Sequence, residues 1–230
     1  MIGLMLSIHL IKELGELMGM LFYLPEYDVF FQHITKCAGT SIEEYFIKHL
    51  NTEDQGVFEL GNDRRHFQER NFERSITSIR NPFDRFVSSY KSFVRYGSLG
   101  EMMPDLDNIL FPKYVDYIFN LDVEPDFDAM YYGKYFDDLP VHWNIVARIH
   151  TVPMTHSFYQ ADKFETIIRF ENLLDDWNSA LLKYEIPNDW PLSHHAKSPG
   201  KYYQEYYDTE TRGLIAEYYK EDLLTFGYEF

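Results

Sequence analysis

The sequence predicts an α/β fold in which helices pack on the faces of a parallel sheet. A strand pattern followed by a loop and a helix pattern occurs three times along the chain, and strands that alternate with helices usually pair in parallel. The chain has 230 residues, of which 45% are apolar, and this suffices for one well-packed core. We therefore expect residues 1–230 to form a single domain.

Each of the three units combines a short apolar strand with an amphipathic helix. The strands are rich in aromatic and β-branched residues, and the helices carry apolar residues at helical spacing. Pro82 suits the first position of the second helix, because proline lacks the amide hydrogen that is unpaired there. The predicted strand and helix pairs are residues 27–32 with 40–50, residues 75–79 with 82–96, and residues 165–170 with 173–184.

Both ends of the chain are expected to be helical. Residues 1–24 are apolar, but Lys12, Glu13 and Glu16 interrupt them, so no uncharged stretch reaches the roughly 18 residues that a membrane span needs. Their helical spacing favours an amphipathic helix that packs on the domain over one that lies on a membrane. The tail from Thr209 to the end predicts a docking helix. We expect a soluble, cytoplasmic protein.

The composition excludes several classes of function. A net charge of −16 repels nucleic acid, so nucleic acid is not an expected partner. With Cys37 as the single cysteine, neither an intrachain disulfide nor a cysteine-rich metal site can form. No histidine pair has the spacing of a helical metal site, so no metal is expected. Residues 101–140 hold ten acidic and two basic residues among nine aromatics, and predict an inserted helical subregion at one sheet edge.

The loop between the first strand and the first helix carries residues suited to an anion. Its sequence over His33–Ile42 is HITKCAGTSI, and the amide groups at a helix N-terminus attract negative charge. Gly39 permits close backbone approach, Thr40 and Ser41 offer hydroxyls, and Lys36 adds a positive charge. A helix cap made by Thr40 or Ser41, beside a solvated Lys36, would explain the same residues.

Two other anion-binding loops are disfavoured by spacing. A nucleoside triphosphatase loop needs Gly before its Lys and Ser or Thr after it, but Thr35 and Cys37 flank Lys36. A cysteine phosphatase loop needs Arg six positions after its nucleophile, where this chain has Glu43. Cys37 is therefore interpreted as a small, partly buried loop residue.

The second unit supplies further donors in SIRNPFDRFVSSY, Ser78–Tyr90. The exits of neighbouring parallel strands open on one crevice, so Arg80 and Ser88 are expected to face the Lys36 loop and to hold a second phosphate. A salt bridge from Arg80 to Asp84 or Glu43 is the structural alternative. Two anion sites on adjacent strand exits suit a bisphosphorylated nucleotide.

The two motifs together resemble the paired cofactor signatures of the Golgi-type carbohydrate sulfotransferases, the group that includes heparan sulfate 2-O-sulfotransferase. The resemblance runs from about Val29 to the end of the chain but omits the acidic insertion. The family usually has Pro at the position of Thr35, and often Thr-Gly at Cys37 and Ala38. Further matching segments are His66, HTVPMTHSF (150–158), IIRFENLLDDW (167–177) and residues 202–230.

The resemblance implies a three-layer α/β/α, nucleotide-kinase-like (P-loop-type) fold, no metal, and 3′-phosphoadenosine 5′-phosphosulfate as donor, with adenosine 3′,5′-bisphosphate as product. It implies that Arg80 and Ser88 hold the 3′-phosphate. Lys197 and Ser198 match a loop that closes over the nucleotide, although Ala196 stands where relatives often have Asn. The residues implied for the 5′-phosphosulfate are Lys36, Cys37, Ala38, Gly39, Thr40 and Ser41.

The transfer itself requires a cation on the leaving phosphate and a base for the acceptor. Lys36 suits the leaving oxygen, because negative charge accumulates there during in-line transfer. His66 matches the family's catalytic histidine and is our candidate base, with a surface histidine as the structural alternative. His33 is the second candidate. Glu171 could serve as a base or cap the next helix.

Two other functions remain open alongside the sulfotransferase. One is a nucleotide-binding module that has lost catalysis, which the presence of Lys36 and His66 disfavours. The other is a small-molecule kinase, which the loop spacing disfavours. The acidic charge of the chain and of its insertion predicts a neutral or cationic acceptor, such as an unsulfated glycan or a small hydroxylated metabolite.

Overall fold

The architecture comes from a computed structural model that describes residues 21–50, 58–59, 72–97, 109–125, 139–193 and 202–230. These residues contain five strands and seven helices. The strands are β1 (Leu21–Leu24), β2 (Val29–Gln32), β3 (Phe58–Glu59), β4 (Ser75–Ile79) and β5 (Thr166–Arg169). The helices are α1 (Gly39–His49), α2 (Pro82–Gly97), α3 (Phe111–Phe119), α4 (Leu139–Thr151), α5 (Leu173–Lys183), α6 (Thr209–Tyr218) and α7 (Lys220–Phe226).

The strands form one mixed sheet in the order β3–β1–β2–β4–β5. The three predicted strands, β2, β4 and β5, pair in parallel, which confirms the α/β class. The prediction of a wholly parallel sheet was wrong at one edge, because β1 runs antiparallel to both β2 and β3. Only four residues separate β1 from β2, and so short a connection permits only an antiparallel hairpin.

The helix predicted over residues 1–24 was wrong for its last four residues, which form the first strand of this hairpin. Leu21–Leu24 form a strand, and residues 1–20 lie outside the described residues. The strand is favoured because the Leu21–Leu24 backbone pairs with Val29–Gln32 in register. The Tyr23 hydroxyl donates to the Asp28 carboxylate in the connecting turn at 2.8 Å.

Helices pack against both faces of the sheet. Phe31 and Ile76 point to the face covered by α1 and α5, where Trp177 is also buried. Ile79 points to the opposite face, toward a second core that includes Phe86 of α2 and residues of α3, α4, α6 and α7. The carboxyl ends of β2 and β4 lie between these helical layers, and the loops of the predicted site begin there.

The terminal and inserted segments differ in detail from their predictions. The tail forms two helices instead of one, since Tyr219 ends α6 and precedes α7. In the predicted insertion, the structure describes α3, whose inner face is buried. Among the described helices, none combines the length and apolar character needed to cross a membrane. The cytoplasmic location stays a prediction.

Candidate functional site

The loop after β2 has an unusual main-chain conformation. Lys36 and Ala38 have left-handed φ values of 66° and 69°. Ala38 is the N-cap of α1, and no side chain caps this helix. The alternative in which Thr40 or Ser41 caps the helix was therefore wrong. The Ser41 amide donates to the carbonyl of Ala38 at 3.1 Å, and without a side-chain cap the amide hydrogens of Gly39 and Thr40 can donate to a ligand.

Gly39 is required at the start of α1 because His33 packs directly against it. A Cβ at this position would lie 1.9 Å from Cδ2 of His33. The His33 ring is buried, and its Nδ1 lies 2.5 Å from Oε1 of the buried Glu43. His33, the second candidate base, thus supports the loop by packing against Gly39. Glu43 pairs with His33 and not with Arg80.

The Lys36 side chain connects the loop to α2. Its Nζ donates to Oγ of Ser92 at 2.5 Å, and this hydroxyl donates in turn to the carbonyl of Ser88 at 3.1 Å. Ser88 is half-buried on the same helix. The two sequence motifs therefore lie side by side, as the sequence predicted for neighbouring strand exits.

Arg80 leaves β4 and is held on three sides. Its Nε and one terminal nitrogen contact Oδ2 of Asp84 at 2.9 and 2.8 Å, and the other terminal nitrogen donates to the carbonyl of Lys36 at 3.1 Å. The guanidinium lies 4.0 Å from the centre of the Phe170 ring. The predicted salt bridge to Asp84 is present. A guanidinium has five N–H donors, and these contacts use three of them.

Glu171 fixes the backbone that follows Arg80. Its Oε1 accepts the amide hydrogen of Asn81 at 2.6 Å, and its Oε2 accepts the Tyr228 hydroxyl at 2.8 Å. The prediction that Glu171 caps the next helix was wrong, since Asn172 is the N-cap of α5. Asn81 in turn caps α2 by accepting the Phe83 amide at 3.0 Å. Both oxygens of the Glu171 carboxylate are thus engaged in support of the loop.

Arg85 is a site residue that the sequence analysis missed. It is completely buried and donates to the carbonyls of Thr35 and Val152 at 3.0 and 2.7 Å. Helical position was the available signal, because Arg85 stands four residues before Ser89 and eight before Phe93 on the buried side of α2. Charged residues are rarely buried without a role in pairing or function.

Cys37 has the properties of a structural thiol. It is fully buried, and its Sγ lies 4.0 Å from Sδ of Met154. Burial raises its pKa to about 12, although Arg85 and Arg80 act in the opposite direction. The thiol therefore stays protonated at neutral pH, and Cys37 is more deeply buried than the sequence suggested.

His150 is a buried neutral imidazole near the loop. Burial, followed by the charge of Lys36, lowers its pKa to about 3. Its Nδ1 lies 2.8 Å from the carbonyl of Val146, so Nδ1 carries the proton and Nε2 is left with a lone pair.

Three predicted site residues, His66, Lys197 and Ser198, lie outside the described residues. Their roles stay predictions. Within the described part of the chain, no group of three or more His, Cys, Asp or Glu residues is arranged to hold a metal ion.

Comparison with known proteins gives one match. The model of a family described as the sulfotransferase family matches residues 20–229, which include β1 to β5 and both strand exits. No curated protein and no solved structure matches the chain.

Proposed function

The chain belongs to the sulfotransferase family, and we propose that it transfers a sulfuryl group from 3′-phosphoadenosine 5′-phosphosulfate to a hydroxyl or amine of an acceptor. The same proposal assigns the sheet and its helices to the three-layer, nucleotide-kinase-like fold. Its products would be the sulfated acceptor and adenosine 3′,5′-bisphosphate.

One observation carries this proposal: the two motifs that suit an anion meet in space. The Arg80 guanidinium donates to the carbonyl of Lys36 at 3.1 Å, and the Lys36 ammonium reaches Ser92 on the helix that carries Ser88. A nucleotide with phosphates at both ends of its ribose needs two anion sites within one molecule's length. The adjoining strand exits offer such a pair.

The loop after β2 is our proposed site for the 5′-phosphosulfate. The uncapped start of α1 supplies main-chain donors, and the lack of a side chain at Gly39 lets the His33 ring pack against this first turn. Lys36 would stabilise the leaving phosphate as its bond to sulfur breaks, because a charge aimed at the leaving oxygen is most valuable in the transition state. The proposed contacts come from Lys36, Cys37, Ala38, Gly39, Thr40 and Ser41.

The exit of β4 is our proposed site for the 3′-phosphate. Arg80 retains two N–H donors beyond its contacts with Asp84 and Lys36. Ser88 lies two turns further along α2 and can add a hydroxyl. Since Asp84 already neutralises Arg80, a phosphate at this position must compete with a carboxylate.

The proposed base is His66, which would accept the acceptor's proton as the new oxygen–sulfur or nitrogen–sulfur bond forms. Among the alternatives, His33 is paired with Glu43, and Glu171 holds Asn81 and Tyr228. These contacts favour His66 by making both alternatives less available. Lys197 and Ser198 are proposed to close over the nucleotide, and no step requires a metal.

A neutral or cationic acceptor is proposed from charge. The net charge of −16 opposes the approach of a polyanion. The aromatic residues of the insertion give less support than the sequence suggested, because Phe111 and Tyr114 are buried in the core and only Phe119 of α3 is exposed among its aromatics. The net charge of the chain is therefore the main support for a neutral or cationic acceptor.

An assay with the sulfuryl donor tests the function. The protein is incubated with the donor and a mixture of neutral, cationic and sulfated acceptors, and mass spectrometry follows both products. Sulfated product together with the bisphosphate supports the proposal, and faster turnover of a sulfated polymer than of every neutral acceptor contradicts the charge argument. Binding of the bisphosphate without turnover would instead indicate a module that has lost catalysis.

A further inference from the structure

Arg85 is a buried cation that binds main-chain oxygens. It lies on α2 with no exposed surface, and its Nε donates to the carbonyl of Thr35 at 3.0 Å. One terminal nitrogen donates to the carbonyl of Val152 at 2.7 Å, and the other contacts Oγ1 of Thr35 at 3.4 Å. The Tyr159 ring lies 5.6 Å from the guanidinium carbon. The guanidinium thus joins the loop after β2 to the segment that follows α4.

This arrangement is costly for a purely structural residue. A buried charge loses its hydration, and an ion pair normally compensates for part of that loss. Among the described residues, no carboxylate forms an ion pair with Arg85 within 4.0 Å; Asp222 instead accepts the amides of Met154 and Thr155, each at 2.8 Å. The compensation for Arg85 therefore comes from the carbonyl dipoles of Thr35 and Val152, with a smaller contribution from the Asp222 carboxylate at longer range.

The contact with Thr35 fixes the peptide plane that leads into Lys36. Arg85 holds the carbonyl before Lys36, and Arg80 holds the carbonyl of Lys36 itself at 3.1 Å. Between these two peptide planes Lys36 adopts its left-handed φ of 66°. Such a conformation costs a non-glycine residue of order 1 kcal/mol, so it needs contacts that maintain it. The two guanidinium groups provide them.

The charge of Arg85 also reaches the loop. Burial is the main cause of the raised pKa of Cys37, but Arg85 is the strongest influence that lowers it, ahead of Arg80. A fixed cation behind the loop would attract an anion in front of it, and the buried position shields this field from solvent.

We propose that Arg85 is a positioning residue for the donor site. It orients the Thr35–Lys36 peptide, and its buried charge strengthens the binding of the 5′-phosphosulfate end. The inference rests on the proposed function, since it assigns the 5′ end of the donor to this loop. It predicts that Arg85 acts on one end of the nucleotide and not on the other.

Arg148, in the last turn of α4, offers a matched control. Its guanidinium also binds two main-chain carbonyls, those of Val123 at 3.1 Å and Leu121 at 2.6 Å, and it contacts the Tyr218 hydroxyl at 3.3 Å. None of these partners belongs to the proposed donor site. Arg148→Met therefore measures what the loss of such an arginine does to stability alone.

The test compares adenosine 3′,5′-bisphosphate with adenosine 3′-phosphate, which lacks the 5′ group. Calorimetric titration of Arg85→Met is expected to show about a tenfold loss of affinity for the bisphosphate and less than about a threefold loss for the monophosphate. Arg85→Lys keeps the positive charge but loses the planar guanidinium that binds two carbonyls at once. This variant should recover part of the affinity for the bisphosphate. Arg148→Met should lower the melting temperature and leave both affinities unchanged.

Several outcomes would overturn the inference. Equal losses for the two nucleotides in Arg85→Lys or Arg85→Met, or the same selective loss in Arg148→Met, would reduce Arg85 to a structural residue. If Arg85→Met does not fold, Arg85→Lys decides the question, with a selective loss of at least about twofold expected. If the unaltered protein binds neither nucleotide, the proposed function fails together with this inference. If the unaltered protein binds both nucleotides and the Arg85 variants bind them with the same affinities, the inference fails and the proposed function stands.

Discussion

The two strand exits that meet at the candidate site offer an anion different kinds of donor. After β2 the donors are main-chain amides, shaped by left-handed residues at Lys36 and Ala38 and left uncapped by side chains. After β4 the helix is already capped, because Asn81 accepts the Phe83 amide, and the donor is the side chain of Arg80. At the first exit no side chain caps the helix, whereas at the second exit Asn81 already accepts a helix amide and Asp84 already binds Arg80.

This difference indicates separate tasks for the two exits. The first is supported from behind by the buried His33–Glu43 pair and by Arg85, so its shape exists before a ligand arrives. Preorganised donors of this kind favour transition-state stabilisation. A phosphate bound at the second exit, as we propose, would compete with Asp84 for Arg80. Such an exchange suits selection of the nucleotide more than acceleration of the reaction.

The largest expected effect is that of Lys36→Ala on turnover. The change removes the cation that we propose for the leaving phosphate, so the turnover number should fall on the order of 10³-fold, with a much smaller loss of nucleotide affinity. Initial-rate kinetics with the sulfuryl donor measure both. Lys48→Ala is the control, because Lys48 is an exposed lysine of α1 that pairs with Glu44. Equal activities of the two variants would remove the catalytic role from the first exit.

The shape of the first exit is tested by Gly39→Ala. The new Cβ would lie 1.9 Å from the His33 ring, and the resulting overlap should destabilise the fold by about 1–3 kcal/mol and weaken nucleotide binding. Thermal denaturation gives the stability change. Gly213→Ala in α6 meets nothing within 4 Å and should raise stability by about 1 kcal/mol. A harmless Gly39→Ala would show that the loop can move away from His33.

The competition at the second exit is tested by Asp84→Asn. Removal of the carboxylate frees Arg80 and lowers repulsion, so adenosine 3′,5′-bisphosphate should bind about threefold more tightly. Adenosine 5′-phosphate, which lacks the 3′ group, serves as the control ligand and should gain less. Weaker binding of the bisphosphate would mean that Asp84 orients Arg80 instead of competing for it.

The smallest effect concerns the pKa of His150. Burial and then Lys36 lower this pKa, so loss of the Lys36 charge makes protonation easier and should raise the pKa by less than about one unit. Arg80→Ala should change it less. An NMR titration of both variants, within the pH range where they stay folded, compares the effects of the Lys36 and Arg80 charges on the pKa of His150. A larger pKa shift in Arg80→Ala than in Lys36→Ala would mean that Arg80, and not Lys36, is the charge that acts on His150.

Local pattern was sufficient to predict the positions of both exits. The strand over Ser75–Ile79 and the helix start at Pro82 agree with the structure, because an apolar run and a proline are signals carried by adjacent residues. The loop before Gly39 was found for the same reason. The pair between Arg80 and Asp84 was also foreseeable, since Arg80 directly precedes the start of α2 and Asp84 lies in its first turn.

Features that depend on distant partners were missed. Glu171 holds the Asn81 amide across 90 residues, and Arg85 reaches the Val152 carbonyl across 67. The strand at Leu21–Leu24 depends on pairing with β2 and β3, and its own sequence was compatible with a helix. Local periodicity contains no information about such contacts, which is why the support behind the first exit appeared only in the structure.

The central claim is that the two exits together bind a nucleotide phosphorylated at both ends of its ribose. The most direct measurement is the melting temperature of the unaltered protein and of Arg80→Ala with adenosine 3′,5′-bisphosphate or ATP at equal concentration. The account predicts a clearly larger rise with the bisphosphate in the unaltered protein, and loss of that preference in Arg80→Ala. Equal rises with the two nucleotides in the unaltered protein would contradict the claim.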